Sequence, residues 1–308
     1  MRPSPTSWRA WVGYRPGRVS LGARARRLRW TGTLALLLAA AAARADGPPE
    51  PGLVTLRCGA LTAELQRAHA WNLQRLACEG VEVCSPTGAY GALLCVPAAG
   101  GWVGSAHTEG GIERTDSLAL TVDGEAVELT DGAVFACRQA ELTKSSMLDL
   151  VRLEAAWSFA DGRLRQRHAL TAIEDVVVSA IYPFMFCVSA AATQWMAQGA
   201  GGEETAGEFT GEGKLAWHEG WQWTAAFMPE QRSGLLVRHT REPEGARVLT
   251  GYWDTTRHRK LYVKLTMDEE PWPEGKRVEA EVMVTCFQAP PATWQEVARE
   301  MAAGLVSG

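Results

Sequence analysis

Residues 149–173 read DLVRLEAAWSFADGRLRQRHALTAI, and the alternation in this stretch decides the fold. Asp161-Gly162 is the preferred dipeptide of a two-residue type I′ turn, because both central positions need φ > 0, which glycine accepts freely and aspartate tolerates. Such a turn fixes the register. Ala160 faces Arg163, and counting outward puts Arg152, Glu154, Ala156 and Ser158 opposite Thr171, Ala169, Arg167 and Arg165 on a wet face. The other face pairs Phe159 with Leu164, Trp157 with Gln166, Ala155 with His168, Leu153 with Leu170 and Val151 with Ala172, an apolar face with His168 in it. Arms of about eleven residues exceed the usual five or six of a globular strand, so the hairpin belongs to a large antiparallel sheet.

Outward from the hairpin, Leu53 to Phe287 is a succession of short apolar or alternating runs broken by Gly, Pro and Asp-Gly, with no sustained helical period. This is an all-β pattern, and with no linker-like stretch it fits one large two-sheet antiparallel supersandwich better than two domains. Asp123-Gly124 predicts a second hairpin turn, and a turn at Glu79-Gly80 sets Cys78 against Val81 and Cys84 against Arg75. Residues 198–213, rich in Gly and Glu, read as a long loop. After Pro290-Pro291 the pattern changes: Thr293 and Glu296 form a capping box, and Trp294, Val297, Ala298 and Met301 make one apolar stripe. One short helix near 293–303 is expected on the sandwich.

The first 29 residues hold eight arginines and no acid, and 31–43 is an apolar Leu- and Ala-rich run ending in Ala43-Arg44-Ala45. The run is short for a bilayer span and ends in an A-x-A cleavage pattern, so residues 1–45 are expected to be a cleaved signal peptide and 46–308 a single exported domain, periplasmic or extracellular, without an integral membrane segment. Removing that leader takes nine of the 31 basic residues and none of the 35 acids, leaving 22 against 35, a net charge of −13. So acidic a body argues against a nucleic-acid partner, since binding phosphate needs clustered Lys and Arg. The seven cysteines form no C-x-x-C and read mostly as small core residues, although export permits disulfides.

Trp71-Asn72-Leu73-Gln74-Arg75-Leu76, then Gly80-Val81-Glu82-Val83 leading to Ser85-Pro86, resembles the first hairpin of galactose mutarotase-like proteins. The long central hairpin, the strand through Tyr182-Pro183-Phe184 and the late Lys260-Leu261-Tyr262 strand also look like that group, which includes aldose epimerases and the sandwich domains of polysaccharide lyases and glycoside hydrolases. The resemblance covers most of 54–290, lies in element order rather than in a specific motif, and implies a sugar site on a concave sheet. The epimerases' Asn-His-x-Tyr type segment is absent, since His168 follows Arg167 and precedes Ala169, so no catalytic role is carried over.

Four segments could carry chemistry. In Gly104–Glu113, His107 and Glu109 point the same way in an extended chain and Glu113 could join them, a proton-transfer set on a Gly-rich loop or simply a solvated one. His168 is predicted inward, where it is either a proton carrier or a core histidine with both ring nitrogens satisfied. Trp221, Trp223, Ala225 and Phe227 share one strand face by alternation. With Trp217 they suit a sandwich core or a sugar-stacking platform, Trp217 and Trp221 being the better platform candidates and Trp195 and Trp253 possible additions. In Trp253–Lys260, Arg257 and His258 could hold an anionic or hydroxylated sugar, with Asp254 or Tyr262 as proton carrier, or the segment could be a loop of internal Asp–Arg pairs. No cofactor or metal spacing appears. The sequence thus points to an exported carbohydrate-handling protein that uses His107, Glu109, His168 and His258 as proton-transfer groups. The alternatives are a non-catalytic carbohydrate-binding module and a structural envelope protein.

Overall fold

In a computed structural model the described residues are 52–86, 91–105, 111–243 and 246–305. They build two large sheets and one helix. One sheet of twelve strands runs from Val134–Cys137 through Leu53–Cys58, Leu61–Gln66, Asn72–Cys78, Val81–Cys84, Val176–Ser189, His258–Trp272 and Arg247–Thr255 to Glu212–Glu219, with Leu93–Val96 and Gly101–Gly104 branching from Val176–Ser189. The other, of ten strands, runs from Glu204–Glu208 through Gln194–Gly199, Trp221–Met228, Ser233–Arg241, Arg277–Gln288, Arg163–Ala172, Val151–Ala160 and Gln139–Leu148 to Arg114–Val122 and Glu125–Val127. Pairing is antiparallel except at two short joins, Leu53–Cys58 with Val134–Cys137 and Gly101–Gly104 with Gly111–Ile112.

The central hairpin has the register that its turn dictates, from Ala160 opposite Arg163 to Val151 opposite Ala172. Asp161 and Gly162 have φ of 51° and 70°, the left-handed pair of a type I′ turn. Open space surrounds a Cβ placed on Gly162, so only backbone strain opposes a side chain there. Gly162→Val is therefore expected to cost about 1–3 kcal/mol, because a β-branched residue is poorly tolerated at that φ and two ten-residue strands take their register from the turn. Urea unfolding checks this; an unchanged midpoint would show that the turn does not set the register.

Alternation then sorts the side chains. Leu153, Trp157, Phe159, Leu164 and Leu170 point into the space between the sheets and are buried there with Phe184, Phe186, Val263, Leu265 and Val284 of neighbouring strands. Each such side chain contributes about 1.5–3 kcal/mol on burial. The opposite, wet face carries an Arg and Glu lattice in which Glu279 meets Arg167, Arg241 and Arg277, and Glu281 meets Arg165. A second apolar cluster lies outside the ten-stranded sheet, beneath the helix Trp294–Gly304. There the rings of Phe227 and Trp294 lie parallel with centroids 5.0 Å apart.

Four local expectations are corrected. Residues 198–213 are not one long loop: Glu204–Glu208 pairs with Gln194–Gly199, and Glu212–Glu219 forms a strand of the other sheet. Trp221 and Trp223 do not share a face, because a register shift at Gln198/Gly199 interrupts the alternation; Trp221 joins the core between the sheets and Trp223 the cluster under the helix. Thr293 caps its helix by backbone position alone, with no side-chain bond, so the capping box is not formed. Cys78 does face Val81, but a bulge at Leu76/Ala77 sets Cys84 against Leu76 rather than Arg75. Cys58 and Cys137 form a disulfide across the parallel join, while Cys78, Cys84 and Cys286 are buried free thiols.

Candidate functional site

The predicted site residues fall into three places, and His107 and Glu109 lie outside the described residues. The first place is the interior. His168 is fully enclosed there: its Nδ1–H donates to Pro183 O (2.7 Å), its Nε2 accepts from Trp157 Nε1 (3.0 Å), and its ring stacks on Phe184 with centroids 4.6 Å apart. Burial pulls its pKa to about 4, the nearby Lys144 charge adding to the effect, against the Pro183 bond and Glu113. Glu113 is sealed beside it, 2.7 Å from Lys144 Nζ and accepting hydrogen bonds from Asn72 Nδ2 (3.0 Å) and the Ser105 hydroxyl. Both groups tie the two sheets together.

The second place is a cavity of about 240 Å³ between the sheet edges, lined by Trp195, Phe209, His218, Trp221, Tyr252 and Asp254. His218 lies flat on Trp221, 4.2 Å between centroids and 10° between planes. Asp254 faces inward as a structural acceptor, taking the backbone N–H groups of Thr210 (2.6 Å) and Gly211 (2.9 Å) and pairing with Arg259 at 3.1 Å.

The third place is the outward face of the twelve-stranded sheet, opposite the core and away from the C-terminal helix. In His258–Trp272 the buried Leu261, Val263 and Leu265 alternate with Lys260, Tyr262 and Lys264. In Glu212–Glu219 the cavity-lining Lys214, Ala216 and His218 alternate with Leu215 and Trp217. Tyr182 follows the core residue Ile181, and Trp102 precedes the core residue Val103, in the same way. The result is four half-buried rings in mutual contact: Tyr182 lies 5.3 Å from Trp102, 5.3 Å from Tyr262 and 6.1 Å from Trp217, and Trp217 lies 5.8 Å from Tyr262. Gly251 stands between Trp217 and Tyr262 in the register. A Cβ there would meet Ala216 O at 2.0 Å and Trp217 Cε3 at 3.0 Å, so glycine lets the indole close over the strand. Desolvation pushes the Tyr182 hydroxyl up to about 12 and that of Tyr262 well above the usual range, so both remain protonated donors at neutral pH.

Farther along this face are Leu215 and Trp253, both exposed, with His258 edge-on to Trp253 at 6.2 Å. Arg257 is exposed in the adjoining turn, where its backbone N–H donates to Thr255 Oγ1 (3.3 Å). Of the predicted ligand-binding residues, then, Trp217 and Tyr262 meet directly, while Trp221, Asp254 and Glu113 face inward. Trp102, Tyr182 and Lys264 were missed, although the run Lys260-Leu261-Tyr262-Val263-Lys264-Leu265 already displays the alternation that aims Lys264 beside Tyr262. Among the described residues no three His, Cys, Asp or Glu side chains converge as metal ligands, and no helix is long and apolar enough to cross a membrane.

No protein-family model matches the chain, and no curated protein does. Solved structures resemble it in architecture. A putative aldose 1-epimerase from Escherichia coli K12 is 10% identical over 77% of this chain and 99% of its own, with a TM-score of 0.43. A galactose mutarotase-like protein from Lactobacillus casei is 9% identical over 77% of this chain and 100% of its own, with a TM-score of 0.46. A heparinase III is 9% identical over 79% of this chain and 35% of its own, with a TM-score of 0.40. The chain's own two sheets and single helix make it an all-β sandwich.

Proposed function

We propose that the chain is an exported carbohydrate-binding protein whose ligand stacks on the rings of Trp217, Tyr262, Tyr182 and Trp102. The observation that carries this reading is the ring cluster itself: four aromatic side chains, held 5.3–6.1 Å apart, on the outward face of a sheet whose inward face already supplies the core. Aromatic faces offer the C–H bonds of a sugar ring a flat apolar surface, and the tyrosine hydroxyls donate hydrogen bonds at its edge. The Cys58–Cys137 disulfide supports an oxidising compartment.

Acid/base turnover is the second reading, and His258 favours it. Burial and the charges of Lys260, Arg257 and Arg259 hold its imidazole below the ordinary range, so it is a neutral base at pH 7 on the platform's own face. Trp217→Ala is expected to weaken sugar binding at least about tenfold while costing less than about 2 kcal/mol of stability, because the ring lies outside the core. A glycan array followed by titration calorimetry measures this, with product analysis to separate turnover from binding. Unaltered affinity in the variant would remove the platform from the site.

A further inference from the structure

Lys260 and Lys264 emerge on either side of Tyr262, on the face that carries the rings. Lys264 Nζ stands 5.9 Å from the Tyr182 centroid and 5.7 Å from that of Trp217, and Lys260 Nζ stands 5.6 Å from Tyr262. Neither ammonium has a carboxylate partner among the described residues, whereas Lys144, Lys214 and Lys276 each pair with a glutamate. Lys260 is the more telling of the two. It is only 9% exposed, and burial holds its ammonium below the ordinary lysine range. Enclosing a lysine to that degree without a counter-ion costs free energy that the π face of Tyr262 offsets only in part. The chain has 35 acidic side chains from which a partner could have been placed. None of the described ones pairs with Lys260 or Lys264.

We infer that the ring platform takes a sugar bearing an anionic group, a carboxylate, sulfate or phosphate, which binds to the ammonium groups of Lys260 and Lys264 while the sugar ring stacks on Trp217 and Tyr262. The inference rests on the sugar-stacking reading above and adds the substrate class. An anion between these side chains supplies the missing counter-charge in a partly desolvated setting, where a charge-assisted hydrogen bond is about twice as strong as a neutral one. A neutral sugar would leave Lys260 as it is, so the site discriminates by charge as well as by shape.

The test titrates the purified protein calorimetrically with galactose, galacturonate, a galactose sulfate and a galactose phosphate, at low and at physiological salt. At least one anionic sugar is expected to bind about tenfold or more tightly than galactose, with the advantage shrinking as salt rises. The three anions separate carboxylate from sulfate and phosphate sources. Lys264→Gln and Lys260→Gln should each remove most of that advantage over galactose; Lys264 is half-buried, so its variant keeps the test open should Lys260→Gln fail to fold. Equal affinity for galactose and every anion, with binding still lost in Trp217→Ala, would overturn the charge assignment and keep the platform. An anionic preference that survives in Lys264→Gln and in folded Lys260→Gln would overturn it too. Failure of every sugar to bind would overturn both.

Discussion

Glu113→Gln is expected to lower the free energy of unfolding by about 3–5 kcal/mol at neutral pH, the usual cost of breaking a buried ion pair from one side. The Glu113 and Lys144 side chains are both fully enclosed, with Lys144 Nζ 2.7 Å from the carboxylate. The ammonium also donates to Ala70 O (2.8 Å) and Asn72 Oδ1 (3.0 Å), so its three donors are all engaged. Those acceptors belong to a strained corner: Ala70 and Trp71 have φ of 53° and 59°, a left-handed pair without glycine that persists only where its surroundings over-determine it. Desolvation pushes the Glu113 carboxyl up, but the Lys144 charge and the hydrogen bonds from Lys144 and Ser105 outweigh it and keep the group ionised. Glutamine preserves shape and removes that charge. Burial already pulls the Lys144 ammonium below the ordinary value, with Glu113 opposing, so the variant's folded-state value falls further while the unfolded value stays at about 10.4. The unfolded chain then binds more protons, and the variant regains stability as pH rises toward that value. Urea unfolding at several pH values measures both effects, and the apolar double variant Glu113→Leu with Lys144→Met should lie closer to the parent protein. A loss under about 1 kcal/mol, or a difference that does not change with pH, would mean that the ammonium reaches solvent.

The strand that carries Lys144 shows where sequence reading succeeds and where it stops. Alternation around Asp161-Gly162 was sufficient for the whole register of the hairpin, because a two-residue turn leaves no freedom once its type is known. The same alternation in Gln139–Leu148 buries Ala140, Leu142 and Lys144 in succession, so a lysine at an inward position was a readable sign of a buried ion pair. Its partner was not readable. Glu113 lies 31 residues away in sequence, on a Gly-rich segment that reads either as a proton-transfer set or as a solvated loop, and nothing local specifies that pairing. Long-range closure also hid the Cys58–Cys137 disulfide, whose sulfurs are 79 residues apart in sequence. The tryptophans failed for a different reason. One register shift between Trp221 and Trp223 reverses the face of everything before it, and bulges of this kind leave little trace in composition. The ring cluster likewise draws on four strands that meet only through sheet order, so Trp217 and Tyr262 were identifiable one at a time but not as neighbours.

Acidification should destabilise the protein through His168 by about 3 kcal/mol between pH 6.5 and pH 4. Both ring nitrogens are committed in the folded state, Nδ1–H donating to Pro183 O and Nε2 accepting from the indole N–H of Trp157. A proton on Nε2 would point one donor at another in a site without water access, and the ammonium of Lys144 adds a like charge. Burial is the largest cause of a folded value of about 4 against an ordinary 6.5. The sign follows from proton counts: between these values the unfolded chain carries a proton on this histidine that the folded chain does not. The stabilisation is therefore fully present above pH 6.5, declines as pH falls, and is gone below about 4. His168→Gln removes the titrating group from the core, so the pH slope of its unfolding free energy across this window should be shallower than the parent's by the same 3 kcal/mol, whatever its stability at neutral pH. Parallel slopes would mean that His168 is free to take a proton in the folded state.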